Sequence, residues 1–162
     1  MYELLSGENL LYLLIALIFL SLVIPIIRTI VVSAKIRKLK SNSIEVTPKE
    51  FFRIRNASNG GRGRKHISTD KEFEGIYIIY NHTKKMYYVG QAKKVFQRVN
   101  NHFTGKGNGD VYADYKYGDD FTISMIALKN SGFKTLNELE RSAIKEYSAY
   151  SKGYNKTRGN KG

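Results

Sequence analysis

Apolar residues first occur in this chain as an unbroken block. Residues 10–27 read LLYLLIALIFLSLVIPII, and Ile30, Val31 and Val32 extend the run. As a helix this block is roughly 27 Å long, close to the ~30 Å hydrocarbon core of a bilayer. It predicts a transmembrane helix over residues 10–34, with Pro25 near its end tolerable in a membrane helix. Arg28 can snorkel to the interface. A secretory signal peptide fits less well, because no basic region precedes the run and no small-residue cleavage site follows it.

Beyond residue 74 the pattern changes to short alternating and periodic segments. Residues 75–80 (GIYIIY) and 86–90 (MYYVG) flank the polar stretch 81–85 (NHTKK), which predicts a β-hairpin. Each run places a tyrosine near a glycine, and such residues can face each other across an antiparallel pair. A strand glycine often marks close approach of another backbone or a ligand. Residues 92–103 have helical spacing, with Val95, Phe96, Val99 and Phe103 as the apolar stripe. Arg98 and His102, four apart, neighbour each other on another face. After the loop 105–109 (GKGNG), Asp110 is the expected cap of a helix over 111–117 that closes at Gly118. Residues 121–128 (FTISMIAL) read as a buried third strand. Thr135 and Glu138 form a capping box for a helix to about Tyr150, with Leu136, Leu139, Ala143, Ile144 and Tyr147 apolar. These elements predict an α+β domain over 74–162, a three-stranded antiparallel sheet flanked by helices.

The stretch between span and domain, 35–73, reads as a basic tether. Thr47, Pro48 and Glu50 have the form of a helix start, and a short helix through about Asn56 would carry Phe51, Phe52 and Ile54. Residues 59–66 (NGGRGRKH) are flexible and basic in composition, which suits either a solvated linker or a contact to nucleic-acid backbone. The expected organisation is a short N-terminus (1–9), the span (10–34), the tether (35–73) and the domain (74–162). On this division, removing residues 1–40 should leave a soluble domain, and residues 68–162 should fold alone.

Charge narrows the partners. The 162-residue chain carries a formal net charge of +13, with a pI near 9.8. Such an excess suits a phosphate-rich partner, nucleic acid or anionic lipid. Glu3 and Glu8 precede the span, whereas Arg28, Lys35, Arg37, Lys38 and Lys40 follow its apolar block. The positive-inside rule then predicts a cell-membrane protein with a cytoplasmic C-terminal domain. Anionic lipid headgroups alone are a sufficient explanation for that basic cluster. The absence of cysteine excludes disulfides, thiolate metal sites and cysteine nucleophiles.

Six polar residues stand out in order: Tyr77, Tyr88, Arg98, His102, Glu140 and Asn155. Each has an ordinary explanation taken singly. Together with Gly75-Ile76-Tyr77 and Tyr88-Val89-Gly90, they make the region from Glu74 to about Asn160 resemble the GIY-YIG nuclease family. Val89 stands where isoleucine is usual, a volume-conserving change. The span and tether lie outside the resemblance.

The resemblance implies a DNA endonuclease that leaves 5′-phosphate and 3′-hydroxyl ends. It implies that Arg98 binds phosphate, that Tyr77 or Tyr88 orients or deprotonates water, and that Asn155 holds the site's geometry. His102 would contact phosphate, relay the proton, or lend positive charge. Glu140 is the expected metal ligand, and a single carboxylate suits one Mg²⁺, with Mn²⁺ able to substitute. Tyr77, Tyr88, Arg98, Glu140 and Asn155 should converge on one concave surface, since one phosphate must be reached by all. Lys93, Lys94, Lys106, Lys116, Lys156 and Arg158 would supply sequence-independent DNA affinity. The expected function is thus membrane-anchored cleavage of DNA with low sequence specificity, possible substrates including incoming foreign DNA. The alternative is an inactive membrane-anchored module that only holds nucleic acid.

Overall fold

A computed structural model of the chain describes residues 7–57 and 72–160. The basic stretch 59–66 and Glu3 lie outside the described residues. The chain divides into two compact units, Met1–Lys35 and Ile36–Gly162.

In the first unit runs most of helix α1 (Gly7–Ser41), with Pro25 inside it. Its large apolar side chains stand exposed from Leu10 to Val31. An 18-residue window of α1 has a mean hydropathy of 3.0, and none of that window is buried. A helix apolar on all sides with no protein around it needs another apolar phase, which makes α1 a candidate membrane span.

The second unit begins inside the segment expected to be a tether. Ile36, on the last turns of α1, is completely buried. Arg37 pairs with Glu146 at 2.7 Å, and Lys40 pairs with Glu45. Two of the cations expected to face lipid headgroups are therefore engaged by carboxylates. Strand β1 (Glu45–Val46) and helix α2 (Pro48–Ala57) follow. The capping box forms as the sequence predicts: the Glu50 amide donates to Thr47 Oγ1, and the Thr47 amide donates to Glu50 Oε2. The α2 residue Phe51 is fully buried, stacked on Phe96 at 5.6 Å. Residues 36–57 are thus structural parts of the folded unit.

The hairpin consists of β2 (Gly75–Asn81) and β3 (Met86–Ala92), followed by α3 (Val95–Phe103), α4 (Gly109–Tyr117), β4 (Phe121–Ala127) and α5 (Leu136–Glu146). The antiparallel sheet has four strands, not three, in the order β1-β4-β2-β3. The two-residue β1 escapes sequence reading because it has too few residues to show alternation. Helix α4 is capped by Asn108, whose Oδ1 accepts from the Asp110 and Val111 amides, rather than by Asp110. Helix α5 ends at Glu146, short of the expected Tyr150.

Alternation divides the sheet into two working faces. On one, Tyr77, Ile79, Phe121 and Ile123 form the main core with Phe51, Val95, Val99, Phe103 and Val111. On the other, Ile76, Ile78 and Val89 are buried on the side where α5 packs, with Leu139, Ala143 and Ile144 buried along that helix. Strand β3 is the sheet edge where the helices of both faces come within reach.

Candidate active site

The register places Tyr77 directly opposite Gly90. A Cβ on Gly90 would lie 2.1 Å from Tyr77 Oη, so the tyrosine ring crosses the strand through the space that a side chain would fill. Gly90→Ala must displace Tyr77. We expect a stability loss of about 1–3 kcal/mol, the usual cost of overpacking, and an at least tenfold loss of cleavage, read by denaturation and by plasmid nicking.

Tyr77 is only 1% exposed, and its hydroxyl meets His102 Nε2 at 2.9 Å. Helix α3 supplies both His102, which is fully buried, and Arg98, which is exposed. The Asn108 amide donates to His102 Nδ1 at 2.8 Å. An accepting Nδ1 carries no proton, so the neutral ring holds its hydrogen on Nε2 and donates it to Tyr77 Oη. Arg98 lies beside Tyr77 and its positive charge favours the phenolate. The Tyr88 ring lies 6.0 Å from Tyr77 and 4.9 Å from His102, and it is half-buried.

Burial is the largest influence on both buried groups. It raises Tyr77 well above the ordinary phenol range; neighbouring Tyr88 adds to this, and Arg98 only partly opposes it. Burial, with Arg98 nearby, pushes His102 down to about 4. His102 is therefore uncharged at neutral pH. It cannot lend the positive charge expected of it, and with both ring nitrogens engaged in the interior it does not reach a phosphate in this arrangement.

The shift has a stability consequence. Between pH 6.5 and about 4 the unfolded chain binds a proton at His102 that the folded chain does not. Stability rises with pH wherever the unfolded state binds more protons. The His102 contribution is complete above pH 6.5 and is lost as pH falls towards 4, by about 3 kcal/mol in all. Urea midpoints measured from pH 7 to pH 4.5 should fall more steeply for the native chain than for His102→Gln.

Asn155 holds the rim of the edge strand. Its Oδ1 accepts from the Val89 amide at 2.9 Å and its Nδ2 donates to the Val89 carbonyl at 2.7 Å. The side-chain amide thus substitutes for a neighbouring strand. The Tyr154 amide donates to the Tyr87 carbonyl one step along. Tyr154 is itself anchored, its hydroxyl donating to Asp114 Oδ2 at 2.6 Å and accepting from Asn81 Nδ2 at 2.7 Å.

Glu140 does not join the tyrosine cluster. It projects from α5 to Gln91, whose Nε2 donates to Glu140 Oε2 at 3.0 Å and to Asn137 Oδ1 at 2.7 Å. The Asn160 amide also donates to Glu140 Oε2, at 3.3 Å. Gln91 follows Gly90 and by alternation points to the opposite face. The expected residues therefore divide: Tyr77, Tyr88, Arg98 and His102 on one face, Glu140 on the other, and Asn155 at the rim of β3 between them. Both groups abut consecutive residues of one edge strand, rather than sharing one face.

Among the described residues no three His, Cys, Asp or Glu side chains cluster as a metal cage. Glu140 is 7% exposed, and both of its hydrogen bonds fall on Oε2. A single hard carboxylate of this kind fits a cation that keeps most of its shell as water or phosphate oxygen. Sequence reasoning missed Gln91, Asn137 and Asn108. Gln91 had a usable signal, since it adjoins Gly90 and must point away from it. The Asn108 contact had none, because a backbone amide folding back onto a histidine six residues earlier leaves no side-chain mark.

The fold and the paired tyrosines on the hairpin define a nuclease-type α+β domain. The GIY-YIG catalytic domain model matches residues 73–155, and the chain belongs to that family. No curated protein and no solved structure gives a significant match.

Proposed function

We propose that this protein is a membrane-anchored, divalent-metal-dependent endonuclease that hydrolyses DNA phosphodiester bonds with low sequence specificity. The observation that carries the reading is the buried Tyr77–His102 pair, with exposed Arg98 and half-buried Tyr88 beside it, at the same edge strand that Glu140 approaches from behind. Arg98 is exposed and can bind phosphate oxygens bidentately. Tyr88, half-exposed and beside Tyr77, is the tyrosine that an incoming water can reach. Tyr77 is a positioning residue: it is too buried and too reluctant an acid to deprotonate water itself. His102 acts as a neutral donor that fixes Tyr77.

Glu140 would hold Mg²⁺ or Mn²⁺, which when bound neutralises developing phosphate charge and assists the leaving oxygen. Asn155 keeps the Tyr88–Gly90 stretch straight by bonding Val89 on its open side. Lys93, Lys94, Lys106 and Lys116 are exposed around α3 and α4 and suit contacts to phosphate. Such contacts carry no sequence information, which supports low specificity. Lys156 is already paired with Asp110.

The cations that follow the apolar part of α1 support a cytoplasmic domain, where anchoring would restrict cutting to DNA at the membrane, foreign DNA entering the cell included. The test is incubation of the purified full-length protein with supercoiled plasmid. Nicked and linear DNA should accumulate with Mg²⁺ and not with EDTA. Intact plasmid despite measurable DNA binding would defeat the reading.

A further inference from the structure

The α5 helix and the chain after it build a second charged feature that the site above does not use. A cavity of about 510 Å³ is lined by Arg141, Ile144, Lys145, Ser148, Tyr150, Ser151 and Arg158. Three of these are cations, three carry hydroxyls, and none is acidic. Tyr150 is 43% exposed, and the Arg158 guanidinium sits 5.4 Å from its ring centre. Arg141, Lys145, Ser151 and Arg158 are all exposed.

The cavity adjoins Glu140 along α5. Arg141 is the next residue of α5, and Lys145 lies one helical turn further, so both are within about 8 Å of Glu140 along the helix axis. A Cβ on Gly159 would meet Arg141 Cγ, Glu140 Oε2 and Ile144 Cδ1, and its neighbours Arg158 and Asn160 touch the cavity and Glu140 respectively, so the chain after Tyr154 runs past both.

We infer that this cavity is a nucleotide-binding subsite for one strand of DNA next to the cleavage position, with Arg141 and Arg158 on phosphate and Tyr150 stacked on an unpaired base. The chemistry favours a nucleic-acid strand because cations and an exposed aromatic ring occur together. Backbone charge needs the first, and an unstacked base needs the second. A duplex keeps its bases stacked and offers Tyr150 nothing. The subsite therefore favours DNA with a single-stranded segment beside the cut, such as a flap or a strand entering unpaired. This inference rests on the endonuclease reading, and its test reads binding instead of cleavage.

The experiment uses full-length protein carrying Glu140→Gln, in nanodiscs of zwitterionic lipid, with a fluorescent 20-mer single strand and the matching duplex as probes. Arg141→Ala with Arg158→Ala should weaken single-strand binding about tenfold or more. It should also lower the slope of log affinity against log salt by roughly one to two. Tyr150→Leu should weaken single-strand binding about tenfold and leave duplex binding within twofold. All three positions are exposed, and an unchanged thermal melt should accompany each variant. Unchanged single-strand affinity and salt slope would overturn the inference, as would equal losses on single strand and duplex for Tyr150→Leu. Variants that bind DNA normally but lose a dependence on added phosphatidylglycerol would overturn it in favour of a lipid headgroup. Loss of cleavage by the native chain, with the binding pattern intact, would instead count against the catalytic reading alone.

Discussion

Plasmid incubated with Mg²⁺ and the Glu140→Ala protein should remain supercoiled, with cutting reduced by about three orders of magnitude, while DNA binding falls no more than a few-fold. The physical reason is the composition of the site. Glu140 is the carboxylate that bonds Gln91 at the β3 edge, and no cage of three ligating side chains exists among the described residues. A cation held by one protein carboxylate loses its anchor when that group goes. Removing a single electrostatic element from a charge-stabilising site commonly costs two to three powers of ten, roughly 10²–10³. Binding should survive because the exposed lysines and arginines proposed to contact phosphate are untouched. Glu140 lies across the edge strand from the tyrosines, so the same assay also tests whether both faces of β3 serve one reaction. Undiminished cutting would remove Glu140 from the machinery and confine chemistry to the face of Tyr88 and Arg98.

A chain starting at Ser33 should be soluble, folded and active, whereas one starting at Ser68 should fail to fold. The boundary between compact units falls after Lys35, and Ile36 is already fully buried in the second unit. Starting at Ser68 removes Ile36, Val46 and Phe51, all core residues, together with β1. Losing a buried isoleucine costs about 2–5 kcal/mol and a phenylalanine about 3–5. Their sum reaches the whole stability of a typical domain, about 5–15 kcal/mol. Without β1, the β4 edge also loses its partner and invites aggregation. Starting at Ser41, as the sequence alone suggested, would still delete Ile36 and the Arg37–Glu146 pair. Thermal melts and size-exclusion profiles of the Ser33, Ser41 and Ser68 proteins should therefore fall in that order. A stable, monodisperse Ser68 protein would return residues 36–57 to the status of a tether.

Local pattern was enough for the elements with strong local causes. The apolar block of α1 is long enough to cross a bilayer core, so a candidate span follows from composition alone. The hairpin followed from two runs rich in β-branched and aromatic residues around a polar turn, and the register then set Tyr77 across from Gly90. Both capping threonines were legible because a helix start is fixed by residues three apart. The six polar positions were found through their order along the chain, which is a property of sequence and not of contact.

Tertiary structure decided what depends on distant partners. That residues 36–57 belong to the folded unit was invisible, because a two-residue strand has no period and a short amphipathic helix does not say what it packs against. The state of His102 was also beyond the sequence. An i, i+4 pairing put His102 and Arg98 on one helix face, but the fold buried His102 and left Arg98 in solvent. Only that burial, with the Asn108 amide on Nδ1, makes the ring neutral and aims its remaining hydrogen at Tyr77. Likewise the spacing of Glu140 could not tell which side of the sheet it would reach. The position of α5 settled that, because desolvation and hydrogen-bond direction belong to the packed molecule and have no value until residues far apart in the chain meet.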